Sequence, residues 1–413
     1  MNVIDFHKPS MMLVRKAVST FRHHALGPGV RLSALYGACF AAIGVYMPFF
    51  PVWLESRGLD ASAIGVILAL PIVTRVVVTA PFMSLVDRGV GARRFLLAST
   101  IGLVLTYVTL AFASDPYAIA ALAVAMAAAQ APLVPLCDLV STEAVRADPR
   151  LDYGRIRLWG SVAFLAASVS GGYIVAAATP AAVPACLAGL ALATTAAVRF
   201  AVPAAPPRPP EAKLPAAIAI RLPPALWLLI AAAGCIQASH AGVYAFGSLH
   251  WRERGFSEPA IGYLWAVGVV AEVVLFAAAG RIVGRGSAGL GFLTVGAVAA
   301  ALRFSIMAFS PGLAATFLLQ TLHGLSFGAT HLGAMAAVSH LAPPGSRGRA
   351  QGLLSTAVSL GMAAGTVLSG VVFGSGGALV FAAMAPLAAI GLMLALAAAR
   401  VLAAQPHRAG EGG

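Results

Sequence analysis

IGYLWAVGVVAEVVLFAAAG, residues 261–280, is a nearly unbroken apolar stretch of twenty residues. Wound as a helix at ~1.5 Å per residue, it is long enough to cross a hydrocarbon layer ~30 Å thick. Its only ionisable side chain is Glu272, a little past the middle. A carboxylate at that depth costs about 2.5 kcal/mol or more, so it must face protein or water and have a partner. The next two apolar segments each offer one, Arg303 and His323.

The composition extends this reading to the whole chain. Of 413 residues 60% are hydrophobic and only 10% charged, against roughly 25% charged in soluble domains, so most of the surface must face lipid. The formal charge of +13 could suggest a nucleic-acid partner, but the placement of the basic residues accounts for it otherwise. The four cysteines (Cys39, Cys137, Cys186, Cys235) lie in apolar runs without CxxC spacing. They read as small buried hydrophobes, neither disulfides nor metal ligands.

Twelve candidate spans come after a basic, His-rich segment that lacks a signal-peptide pattern and reads as a retained cytoplasmic arm. They cover about 32–54, 62–86, 95–114, 116–139, 156–178 and 181–200, then 225–249, 259–281, 288–309, 312–338, 351–373 and 377–400. Between the sets runs AVPAAPPRPPEAKLPAAIAIRLPP, a Pro-rich tether that cannot cross a membrane. The expected organisation is an N-terminal arm (1–30), a six-helix bundle (31–201), a linker (202–223), a second bundle (224–401) and a tail (402–413). With both termini inside, 22 of the 27 basic residues fall on the cytoplasmic side. Arg57, Arg252 and Arg254 fall outside, and Arg75 and Arg303 lie within spans. This asymmetry is the positive-inside rule, and it absorbs the basic excess without nucleic acid.

The two sets repeat one another. Val45-Tyr46, Trp53, Glu55, Gly58 and Ile64-Gly65 recur as Val243-Tyr244, Trp251, Glu253, Gly255 and Ile261-Gly262, an offset of 198 and then 197. Continued, the offset sets Arg75 of span two opposite Glu272 of span eight. Two parallel six-span halves on a cytoplasmic linker resemble the major facilitator superfamily. The resemblance implies an all-α integral membrane fold of twelve transmembrane helices in two pseudo-symmetric halves. It also implies a multi-pass inner-membrane location.

Three motifs carry the resemblance further. SLVDRGVGARR (84–94) is similar to the loop signature after span two, with Ser84 in place of a glycine. The resemblance implies gating by Asp87, Arg88, Gly91, Arg93 and Arg94. YGRIRLWGS (153–161) resembles the run that opens span five in the phenylpropionate permease and nucleoside–proton symporter subgroup. In lactose permease-like members the second Arg of that run binds substrate with an acid near the end of span four; the matching positions are Arg157 and Asp138. Arg157 offers a planar fork of donors suited to carboxylates or vicinal oxygens, and a helix-end anchor paired with Asp138 is the alternative. WAVGVVAEVVLF with Glu272, Arg303 on span nine and LLQTLHG with His323 resemble the acid, Arg and His of the same subgroup.

Helix geometry is compatible with contact among those three. At ~1.5 Å per residue Glu272 lies ~20 Å and His323 ~17 Å from the outer face, and Arg303 ~9 Å, with a side chain long enough to reach inward. Gln320, His323, Phe327 and His331 would share one helix face, as would Gln237, His240 and Tyr244 on span seven. Separating Glu272 from Arg303 would let the acid take up or release a proton, so Glu272, Arg303 and His323 are the expected proton-coupling set, and a permanent Glu272–Arg303 pair is the alternative. Expected substrate contacts are Arg75, Asp138, Arg157, Gln237, Tyr244 and Tyr36. There is no Walker A run, HExxH, Cys/His cluster or GxSxG, so no cofactor is expected beyond the proton as coupling ion, and no enzyme activity. The expected function is proton-coupled uptake of a small organic solute (aromatic acid, nucleoside or sugar-like) by a monomer in the lipid bilayer. A proton-driven exporter comes second, and a non-transporting sensor is the reading from another class.

Overall fold

The computed structural model describes residues 27–204, 221–279 and 288–404. The basic arm up to residue 26, the linker core 205–220 with Arg208 and Lys213, the segment 280–287 with Arg281 and Arg285, and the tail from 405 lie outside the described residues. Among those described, eleven helices are long and apolar enough to cross a membrane. In chain order the first set is Pro28–Ser56, Ala61–Asp87, Ala92–Phe112, Pro116–Ala147, Tyr153–Ala178 and Ala182–Ala201. The second set is Pro224–Glu253, Glu258–Ala279, Ala288–Met307, Arg347–Ser375 and Leu379–Ala403, with span ten a composite between the third and fourth of these.

Local chemistry sets the helix starts. Asp60, Asp115 and Asp152 each accept a hydrogen bond from the backbone N–H three residues on, all at 2.7 Å, which supplies an N-terminal donor with its missing partner. The internal repeat survives in three dimensions. Trp53 and Trp251 are both buried. Gly58 and Gly255 both close the turn after their helix with φ of 78° and 79°, a left-handed conformation that carries no steric cost for a glycine. Ser257, the counterpart of capping Asp60, receives the N–H of Ala260 at 3.4 Å.

Three spans are interrupted, which the apolar pattern does not foretell. Span four breaks into Pro116–Gln130 and Leu133–Ala147, and span seven into Pro224–Ala238 and Ala241–Glu253. Span ten runs as Leu313–Thr321, a π-helical segment Gly324–Ala329 and Thr330–Leu341. Such a segment inserts an extra residue and rotates the rest of the helix by about 100°. His331 is therefore carried off the face of Gln320 and His323, becomes exposed and lies 6.3 Å from the Phe276 ring.

The halves meet along spans two and eleven and along spans five and eight. Gly65 packs on Gly370 and Thr366, and its repeat partner Gly262 packs on Ser168 and Val169. At the same end of the molecule Arg252 reaches Glu55 of the first half at 2.9 Å and Glu258 at 3.3 Å. This end is sealed.

Candidate functional site

Arg303 is 1% exposed and is built into a directed network. One arm of its guanidinium donates to Gln320 Oε1, and the Gln320 amide donates to the Leu264 carbonyl at 3.0 Å. The other arm, Nη1, lies 3.3 Å from His323 Nδ1 and 3.4 Å from Ser326 Oγ. A guanidinium can only donate, so His323 Nδ1 is an acceptor and the ring hydrogen of the neutral imidazole sits on Nε2. That Nε2 faces Glu272 Oε2 at 3.8 Å, just beyond hydrogen-bonding distance. His240 Nδ1 faces the Ile236 carbonyl at 3.1 Å, so its Nε2 takes the Ser326 hydroxyl hydrogen at 3.0 Å.

The three residues expected to form one centre do gather, in a different order from that expected. No direct Glu272–Arg303 pair forms among the described residues; His323 stands between them. The reason is steric: span ten comes so close to span eight at Gly324, which packs on the Ala271 backbone, that the His323 ring fills the space a direct pair would need. Arg157, from the other half, lines the same cavity as Glu272.

Two adjacent cavities lie between the halves, sharing Ile43, Met47 and Tyr244. The lobe of about 310 Å³ holds Arg157, Glu272, Arg303, Gln320 and His323 against an aromatic wall. In that wall Tyr244 stacks on Trp265 at 5.9 Å and His323 on Phe327 at 5.2 Å. The second lobe, about 460 Å³, holds Arg75, Tyr46, Tyr107 and Gln130 within mostly apolar walls. Both volumes are in the range of small-molecule sites.

The remaining expected substrate contacts divide. Arg75, Arg157 and Tyr244 line the cavities; Tyr36, Asp138 and Gln237 do not. Asp138 accepts hydrogen bonds from Tyr36 and, at 2.9 Å, from Tyr153, and forms no ion pair with Arg157. Arg157 instead lies over the Phe40 ring at 4.0 Å, a cation–π contact that leaves the edge of its fork free. Gln237 is buried behind the cavity, its amide nitrogen 3.5 Å from the Phe327 carbonyl. In the loop motif Asp87 and Arg94 are exposed, Gly91 precedes span three, and Arg93 donates to the Arg199 carbonyl at 3.1 Å. Arg88 ends span two. Sequence reasoning missed Ser326, Tyr153 and the acceptor role of Gln320. Ser326, three residues after His323, carried a faint signal; the other two depend on how helices rotate.

The comparisons agree with this architecture. A profile of the MFS_1 like family matches residues 30–383. The chain is 32% identical over 317 residues to the probable 3-phenylpropionic acid transporter of Escherichia coli (strain K12), spanning 73% of this chain and 79% of that one. It is 28% identical over 338 residues to maltose permease of Geobacillus stearothermophilus, spanning 81% and 82%. The solved nucleoside transporter NupG shares the fold with a TM-score of 0.73 at 18% identity, over 91% of this chain and 99% of that one. A bacterial homologue of the human lysosomal transporter Spinster, in an inward-facing and unoccupied conformation, does so with a TM-score of 0.70 at 16% identity, over 90% and 96%. With a family profile over most of its length, this chain belongs to the MFS_1 like family and is a transporter of the major facilitator superfamily, a multi-pass protein of the inner membrane.

Proposed function

We propose that the protein imports a small organic solute together with a proton, by alternating access, with Glu272 as the coupling carboxyl. The observation that carries this is the directed network around Arg303. It holds the guanidinium on neutral acceptors and leaves Glu272, 22% exposed, as the one acid lining either lobe among the described residues. Protonating His323 at Nδ1 would break its contact with Arg303, so the proton goes on Glu272, and His323 Nε2–H orients the charged form. The aromatic wall suits a planar solute, and 32% identity to the probable 3-phenylpropionic acid transporter favours an aromatic acid over a nucleoside or sugar. With both termini cytoplasmic, the sealed end is the outer one, and the structure is the inward-facing state. The Asp87–Arg94 loop would close the inner end in the opposite state; Asp87 has no ion pair among the described residues in this one. One chain encloses both lobes, so a monomer suffices.

The test is uptake of labelled 3-phenylpropionate into proteoliposomes with and without an imposed pH gradient. With the outside acidic, initial uptake is expected to be faster than without the gradient and faster than in protein-free liposomes. Solute uptake with no accompanying proton movement would refute the symport reading. A second experiment addresses the outer seal. Arg252→Ala removes the link to Glu55, and a partly exposed pair is worth up to about 1 kcal/mol. The labelling rate of a cysteine placed at Thr366, behind the seal, should rise by no more than about fivefold. A much larger rise would mean that this bridge, not the glycine contacts, holds the halves together.

A further inference from the structure

We propose that the larger lobe seats the anionic group of the solute, with Arg75 taking a carboxylate. The solute's apolar body would run past Met47 and Tyr244, which line both lobes, toward the aromatic wall. This rests on the transport reading and names the class of solute it carries.

The charges lining the two lobes do not balance. Three guanidiniums, from Arg75, Arg157 and Arg303, face one carboxylate, that of Glu272. Asp138 is engaged by the Tyr36 and Tyr153 hydroxyls and lines neither lobe. Arg303 is engaged by hydrogen bonds to Gln320, His323 and Ser326. Arg157 lies face-on over Phe40 and shares its lobe with Glu272. Arg75 remains. It stands in the middle of Ala61–Asp87, faces the larger lobe, and its guanidinium has no acceptor within hydrogen-bonding distance among the described residues. It is exposed to that lobe, so its fork is open to an incoming anion.

The neighbours of Arg75 select the kind of anion. Tyr46 and Tyr107 line the same lobe as Arg75. The Tyr107 oxygen accepts from Gln130 Nε2 at 2.7 Å, which leaves its own hydrogen free to donate. A guanidinium fork beside a free phenol hydrogen is a set of donors, and it fits a ligand that only accepts, as a carboxylate does and a carboxamide does not. One guanidinium within apolar walls matches a single negative charge on an otherwise apolar molecule. Dianions such as phosphates would need more cations than this lobe supplies. The repeat adds a structural logic: Arg75 occupies the position in the first half that Glu272 holds in the second, so solute anion and coupling proton are received at equivalent places in the two halves.

The test is equilibrium binding by calorimetry at pH 7.5 to the full-length purified protein. Phenylacetate, cinnamate and 2-naphthoate are each compared with their neutral primary amide. At least one acid should bind at least tenfold more tightly than its amide. Arg75→Gln should bring that acid down to the level of its amide, and Arg75→Lys should restore part of the difference. Thermal unfolding of each variant reports its folding. The preference should also fall in Tyr107→Phe, a variant that keeps the ring. Equal binding of acids and amides, binding of none of the six, or an acid preference that survives in Arg75→Gln would each overturn the proposal. No proton gradient is present, so failure of proton coupling in the transport assay leaves this result standing, and the reverse holds too.

Discussion

Glu272→Gln leaves the protein able to exchange solute across the membrane but unable to accumulate it. Glutamine keeps the shape of the side chain and an oxygen for His323 Nε2–H, 3.8 Å away in the native protein, but it cannot carry a proton. In proteoliposomes an imposed gradient of one pH unit drives about tenfold accumulation for one proton per solute. In the variant the initial rate of that accumulation falls to the level of protein-free liposomes. Counterflow between labelled and unlabelled solute needs no net proton movement, so it persists at a similar rate. The two readouts together separate loss of coupling from loss of folding. Full accumulation in Glu272→Gln would remove Glu272 from the mechanism, and loss of both readouts would make it a binding or structural residue.

Gly262→Val acts on the other requirement, that the halves can seal at the Glu55–Arg252 end. A Cβ at Gly262 would overlap the Ser168 carbonyl, with Ser168 C and Val169 Cα close behind. These are backbone atoms and cannot rotate away. Overpacking of this kind costs about 1–3 kcal/mol, which moves a two-state equilibrium by about 5- to 150-fold. The sealed state should lose population to the opposite one. A cysteine placed at Thr366 should label faster by about that factor, and exchange should slow in proportion as the sealed state becomes rare. Gly291→Val is the control, because a Cβ there meets nothing within 4 Å and only helix propensity changes. If both variants labelled and transported alike, close approach at Gly262 would not be what seals this end.

The Arg303 centre shows how much of a site a sequence can disclose. That Glu272, Arg303 and His323 belong together was legible, because an ionisable side chain in an apolar span must find a partner and few were on offer. The order in which they meet was not. A one-residue π insertion at Gly324–Ala329 turned His331 away and brought Ser326 in, while the close approach of Gly324 to Ala271 set the His323 ring between Glu272 and Arg303. Nothing in an apolar run marks such an insertion. Asp138 teaches the same lesson from the opposite side: the family resemblance set it beside Arg157, yet two tyrosines hold it and Arg157 lies on Phe40.

What the amino-acid sequence determined by itself was everything the bilayer imposes one segment at a time. Span lengths, the basic residues gathered toward one face and the paired turns at Gly58 and Gly255 each answer to lipid, water or local backbone geometry, which a short window of residues senses. Which cation finds acceptors in the protein and which does not was decided only in three dimensions. Arg75, Arg157 and Arg303 look alike in a sequence, and their difference lies in the acceptors that neighbouring helices bring within 3 or 4 Å. That depends on helix rotation and close packing, which no single span encodes.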